Sequence, residues 1–187
     1  MIAQPTDSRL QPLDAPYEPE VARTLERLMG GVGAEPLALF RTIAHNAALL
    51  DKLRTTGTYL LNFGTLEPLE REIVILRTCA RCACEYEWGV HVAIFADAVG
   101  LSADQVAATA TGDVEAWAAG HRSLIELVDQ LHDTGTIADD LWRRLEAVYR
   151  PDQLVELVTL VGQYHTVSFT ANALGVHLEP FGARFPA

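Results

Sequence analysis

The sequence predicts an all-α fold. Apolar residues recur at helical spacing along most of the chain, no alternating run of strand length stands out, and helix-starting and helix-stopping residues punctuate the pattern. About seven or eight helices are expected, in a single domain over 18–187 preceded by an extended arm over 1–17. Pro5, Pro12 and Pro16 interrupt any helix in that arm.

Val21, Leu25 and Leu28 mark a first amphipathic helix ending at Gly30-Gly31. Pro36 starts a second, through Leu39, Ile43 and Leu49, with breaks expected near Gly57 and Gly64. Pro68 suits the first turn of a third, which carries Ile73, Val74, Ile75 and Leu76. Residues 78–83 are small and read as a turn. The pattern resumes at Cys84 through Trp88, Val92 and Phe95, and Gly100 closes it. Ser102 with Gln105 forms a capping box for a short helix. A longer helix is expected over 114–132, and Thr136 with Asp139 announces another through Leu141 and Leu145. Pro151 begins the last, whose residues 154–161 are apolar on nearly all sides, as suits a central helix or one between subunits.

Charge narrows the function. Fourteen Lys and Arg against 25 Asp and Glu give a net charge of −11, which repels a phosphate backbone or an anionic membrane surface. No nucleic-acid or membrane partner is therefore expected. The N-terminus lacks the apolar core of a secretion signal, and residues 154–161 are far too few for the roughly 20 that span a bilayer, so a cytoplasmic location is expected. Three cysteines lie between positions 79 and 84, a crowding that points to redox or metal chemistry more than to a secreted disulfide framework.

The chemistry concentrates in residues 70–91. On a helix, Cys84, Glu87 and His91 stand at i, i+3 and i+7, within a sector of about 60°. A thiol, a carboxylate and an imidazole then share one face, an acid–base or nucleophilic set. A cysteine at a helix N-terminus also gains thiolate character from the helix dipole. Cys79, Cys82 and Cys84 with His91 formally offer zinc donors, but Cys79 and Cys82 lack a second closely spaced ligand pair, and no metal is expected. Trp88 and Tyr86 are candidates to contact substrate. His45, His121, His132 and His177 gain no partner from their spacing.

A glutamate, a cysteine twelve residues on, a further position three on and a histidine four beyond it is an order that resembles alkylhydroperoxidase D and its carboxymuconolactone decarboxylase relatives. The resemblance runs from about Arg41 to Gly112, with a fainter echo at Gly162, Tyr164, His165 and Asn172. It implies an AhpD-like helical domain assembled as a homotrimer or homohexamer. It matches Glu72 to the glutamate of a proton relay, Cys84 to the first cysteine of C-x-x-C, Tyr86 to the tyrosine before the second cysteine, and His91 to the histidine. The second cysteine is Glu87 here, which cannot resolve a sulfenic acid.

The decarboxylase branch needs no cysteine pair and no metal or organic cofactor. The leading expectation is therefore a cofactor-independent enzyme acting on a small organic acid or lactone. In it His91 transfers protons, Glu72 or Glu87 orients it, and Cys84 lines the pocket. The alternatives are a thiol peroxidase using Cys84 with Cys82 or Cys79, and a non-catalytic small-molecule binding protein.

Overall fold

The computed structural model describes residues 8–30 and 35–186, and every regular element among them is helical. In chain order these are α1 (Pro19–Leu28), α2 (Ala38–Ile43), α3 (Ala47–Asn62), α4 (Pro68–Arg81), α5 (Glu85–His91), α6 (Ala103–Thr111), α7 (Ala119–Thr134), α8 (Asp139–Glu146) and α9 (Pro151–Leu174). A 3₁₀ turn at Ala44–Asn46 precedes α3, and a π-helical turn at Val92–Ala96 continues α5. The all-α expectation holds. Among the described residues, no helix is long and apolar enough to cross a membrane.

The chain divides into two compact units. One comprises the described residues up to Gly64 with Thr170–Glu179, and the other comprises Thr65–Phe169 with the residues from Pro180 on. In the first, α1 packs on α3, and Leu25, Leu39 and Leu50 are buried. Residues 8–17 form no helix, as expected of an arm, while 1–7 lie outside the described residues. The arm is tied down by backbone bonds: Arg9 N–H donates to the Leu174 carbonyl and Leu13 N–H to that of Arg41. Glu179 accepts the Ala38 N–H at 2.7 Å, satisfying a donor at the start of α2.

The second unit is built around α4, which packs on α5, α6 and α7. Residues 72–79 of α4 are all buried, so this helix has no polar face to spare. Ile73, Val74, Ile75 and Leu76 are wholly excluded from solvent, each worth roughly 1.5–3 kcal/mol of transfer free energy. The last helix is two-sided. Leu157, Leu160, Val161 and Tyr164 are buried, whereas Val155 and Val158 are exposed.

Several boundaries differ from the sequence reading. Gly57 breaks nothing: α3 runs through it to Asn62, and the break falls earlier, at the 3₁₀ turn, where the Asn46 side chain accepts the Leu49 N–H. A single exposed helical glycine costs only about 1 kcal/mol, which the rest of the helix absorbs. Residues 78–81 are the last turn of α4, and the reversal is confined to Cys82, Ala83 and Cys84, with Ala83 at φ 50°. Pro36 precedes α2, which starts at Ala38. Residues 114–118 stay outside α7, and α8 begins after Ala138, whose N–H is held by Gln130, leaving Thr136 outside the helix. The capping box of Ser102 and Gln105 and the left-handed Gly100 are as expected, and so is Gly30 after α1, with Gly31 outside the described residues.

Candidate active site

His91 ends α5 inside the second unit and is 3 % exposed. Its Nδ1 lies 2.7 Å from Glu72 Oε2, on the fully buried α4. The other oxygen of Glu72 accepts from Arg71 Nε at 3.1 Å, so one carboxylate joins a guanidinium to the imidazole. On the far side of the ring, Nε2 lies 3.1 Å from the Tyr164 hydroxyl, from α9, and 3.4 Å from Glu87 Oε1, one turn earlier on α5. The Phe95 ring stacks beside the imidazole at a centroid distance of 5.0 Å.

Burial pushes the His91 imidazole down, but Glu72 and then Glu87 outweigh it and raise its pKa from 6.5 to about 9. At neutral pH the ring is therefore an imidazolium, and both nitrogens donate. Nδ1–H is committed to Glu72, which fixes the ring, and Nε2–H faces Tyr164 and Glu87. Tyr164 stays a phenol, held well above its ordinary value by burial and by Glu87 and Glu72. This is a proton-transfer set with a mobile proton on one side and an anchor on the other.

The expected face of Cys84, Glu87 and His91 is partly realised. Glu87 reaches His91, and Cys84 caps α5 next to Glu87. The expected thiolate character is overturned. Burial raises the Cys84 thiol to about 12, and the Glu87 backbone N–H, which favours the thiolate, does not compensate. Cys79 is fully buried and raised as well, and Cys82, half-buried, is pushed up to about 11 by burial. Ser168, buried on α9, is the hydroxyl nearest all three thiols.

Tyr86 and Trp88 are buried in the helix packing. Trp88 Nε1 donates to Thr109 Oγ1 at 2.9 Å, and its ring packs on Phe185, so it braces α5 against α6 and the C-terminal segment. Gly89 allows that segment in: Ala183 N–H donates to the Gly89 carbonyl at 3.0 Å, and a Cβ on Gly89 would sit 2.2 Å from the Ala183 carbonyl oxygen.

Tyr164 and Ser168 are the residues whose place the sequence left open. Leu157, Leu160, Val161, Tyr164 and Ser168 follow one helical stripe, and polar groups on an otherwise apolar stripe are the signal that marks them. The four histidines without partners find some of them here. His45 bonds the Gln11 carbonyl, His177 receives the Ser8 N–H, and His132 meets His165.

Comparison with known proteins agrees with this architecture. Residues 47–123 match the carboxymuconolactone decarboxylase family. A search of curated proteins finds no significant match. Among solved structures, an uncharacterized peroxidase-related protein from Silicibacter sp. TM1040 superposes with a TM-score of 0.77 at 16% identity, covering 96% of each chain. An AhpD-core peroxidase-related protein from Ralstonia eutropha JMP134 gives 0.72 at 14% identity over 95% of each. The debrominase Bmp8, in complex with 2,3,4-tribromopyrrole, gives 0.70 at 12% identity over 94% of each. With the Glu72–His91 pair formed inside the matched region, the chain is a member of the carboxymuconolactone decarboxylase and alkylhydroperoxidase D superfamily.

Proposed function

We propose that this protein is a cofactor-independent enzyme that moves a proton to or from carbon in a small organic acid or lactone, with His91 as the acid–base group. The observation that carries this reading is the imidazole held at 2.7 Å by Glu72 while its other nitrogen faces Tyr164 and Glu87. In a decarboxylation the carbon–carboxylate bond breaks and its electron pair is left as an enolate. The Nε2 proton of His91 then passes to carbon, and solvent restores it. Tyr164 and the imidazolium supply the donors that such an enolate needs. Cys84, beside Glu87, contributes a neutral wall.

A thiol peroxidase built on Cys84 with Cys82 or Cys79 is the weaker reading. It asks for a reachable thiolate, and Cys84 and Cys79 are fully excluded from solvent. A non-catalytic binding protein would retain the same cluster without turnover. The protein is further read as cytoplasmic, where clustered thiols stay reduced, and as a homotrimer or homohexamer. The oligomer is supported by the apolar groove along Trp142, Tyr149, Leu154, Val155 and Val158, whose residues lie apart from the His91 cluster.

The test is a panel of small acids and lactones assayed for product by mass spectrometry, with wild-type protein and His91→Gln. Turnover that falls at least about a hundredfold in the variant, with its helicity intact, supports the assignment. Equal turnover in both proteins would remove His91 from the mechanism.

A further inference from the structure

Cys82, His132 and His165 come from three different helices of the second unit and take no part in the His91 cluster. Cys82 follows the last turn of α4, His132 lies in the last turn of α7, and His165 is on α9. One donor atom from each lies within 4.8 Å of the other two, and all three residues are half-buried. His132 Nδ1 and His165 Nε2 are 3.0 Å apart. The opposite nitrogen of His165, Nδ1, lies 2.9 Å from the Val161 carbonyl, one turn earlier. A carbonyl only accepts, so Nδ1 carries the proton and Nε2 presents a lone pair. That is how a metal-binding histidine is oriented by its outer partner.

We propose that Cys82, His132 and His165 form a three-donor site for a divalent late transition metal, zinc or cobalt being the natural occupants. A thiolate with two imidazoles is a donor set typical of such ions. Two ligands at metal–nitrogen distances of about 2.05 Å in a tetrahedron stand ~3.3 Å apart, so the two imidazoles need part by only a few tenths of an ångström. The half-buried setting leaves the fourth position to water or a small ligand.

The charged neighbours are compatible with a cation. Arg81 lies beside the site, but it is paired with Asp133 and Asp129, whose carboxylates also face His132. The sequence hides this arrangement, because 50 residues separate Cys82 from His132 and 33 separate His132 from His165.

The experiment is a titration of the metal-stripped, reduced full chain with cobalt(II), followed by absorption spectroscopy and competition with zinc(II). The expected result is one equivalent bound per chain, with a sulfur-to-cobalt charge-transfer band and the strong visible bands of tetrahedral coordination. Cys82→Ser should abolish the charge-transfer band. His165→Ala should weaken binding beyond the ~10–100-fold that loss of an outer partner costs. His91→Gln should bind as the wild type does, and circular dichroism checks that each variant is folded. Absence of stoichiometric binding, a band that survives Cys82→Ser, or a site abolished in folded His91→Gln would each overturn the proposal.

Discussion

His91 carries its charge because two carboxylates outweigh its burial, and that balance has a measurable pH signature. Its folded-state value lies above the ordinary 6.5, so the stabilisation is complete below pH 6.5 and disappears as pH rises through about 9. The groups facing it are Glu72, Glu87 and the neutral Tyr164, with Arg71 on the second oxygen of Glu72. Denaturant titrations across that window should show a loss on the order of 3 kcal/mol in wild type and a much flatter profile in His91→Gln. If the Nε2 proton is the one delivered, turnover falls above pH 9, and Glu72→Gln moves that limb to lower pH. Tyr164→Phe should keep the fold and reduce kcat by roughly 10–100-fold, through loss of one hydroxyl donor. An unchanged kcat would make Tyr164 a packing residue. The residue pattern made Glu72, Cys84, Glu87 and His91 legible as neighbours, because local helical spacing fixes their directions. It could not decide the state of Cys84, which depends on burial contributed by residues distant in the chain.

At the scale of elements, α5 is positioned by what crosses it and by what sits beneath it. The Ala183 carbonyl occupies the space of a Gly89 side chain, and both flanking groups are backbone. Gly89→Ala must therefore displace the C-terminal segment, and we expect a loss of about 1–3 kcal/mol in chemical denaturation. Beneath α5, Arg77 of α4 makes a two-pronged pair with Asp129 of α7 at 2.8 and 3.0 Å and donates to the Thr109 carbonyl. Thr109 in turn receives Trp88. Arg77→Met should cost less than the ~3–5 kcal/mol of a fully buried pair, because Asp129 is part-exposed, and should loosen α5 as judged by hydrogen exchange at Trp88. Element starts with a proline or a capping box were readable, as at Pro68, Ser102 and Pro151. Ends were not. Thr78 looked like turn material, yet its hydroxyl bonds back to the Val74 carbonyl and the helix carries on. Gly57 looked like a break, yet one glycine in sixteen helical residues is cheap.

On the scale of the whole molecule, the sequence announced an apolar last helix without saying which side meets what. Leu157 and Leu160 are spent inside the second unit, while Val155, Val158, Val148 and Trp142 remain exposed. Association of copies through this face predicts a trimer or hexamer in sedimentation velocity, and Val155→Glu with Val158→Glu should shift it to smaller species without loss of helicity. A wild-type monomer at micromolar concentration would rule the assembly out. The fold class was legible because all-α architecture follows from periodicity alone, whereas the central place of α4 was not. That helix includes Glu72 and Arg77, charges that mark a surface helix until their partners are known.

The π-helical turn at Val92–Ala96 makes chain length itself a variable inside this helix. One extra residue in a helical turn rotates everything beyond it by about 100°, so the buried Ala96 and Leu101 keep their facing only while the surplus residue stays. Deleting Ala93 would restore a regular helix and turn those two side chains off the core. Gaps are usually silent in loops; between His91 and Asp97 a single gap would separate relatives that keep this helix's two faces in step from those that do not.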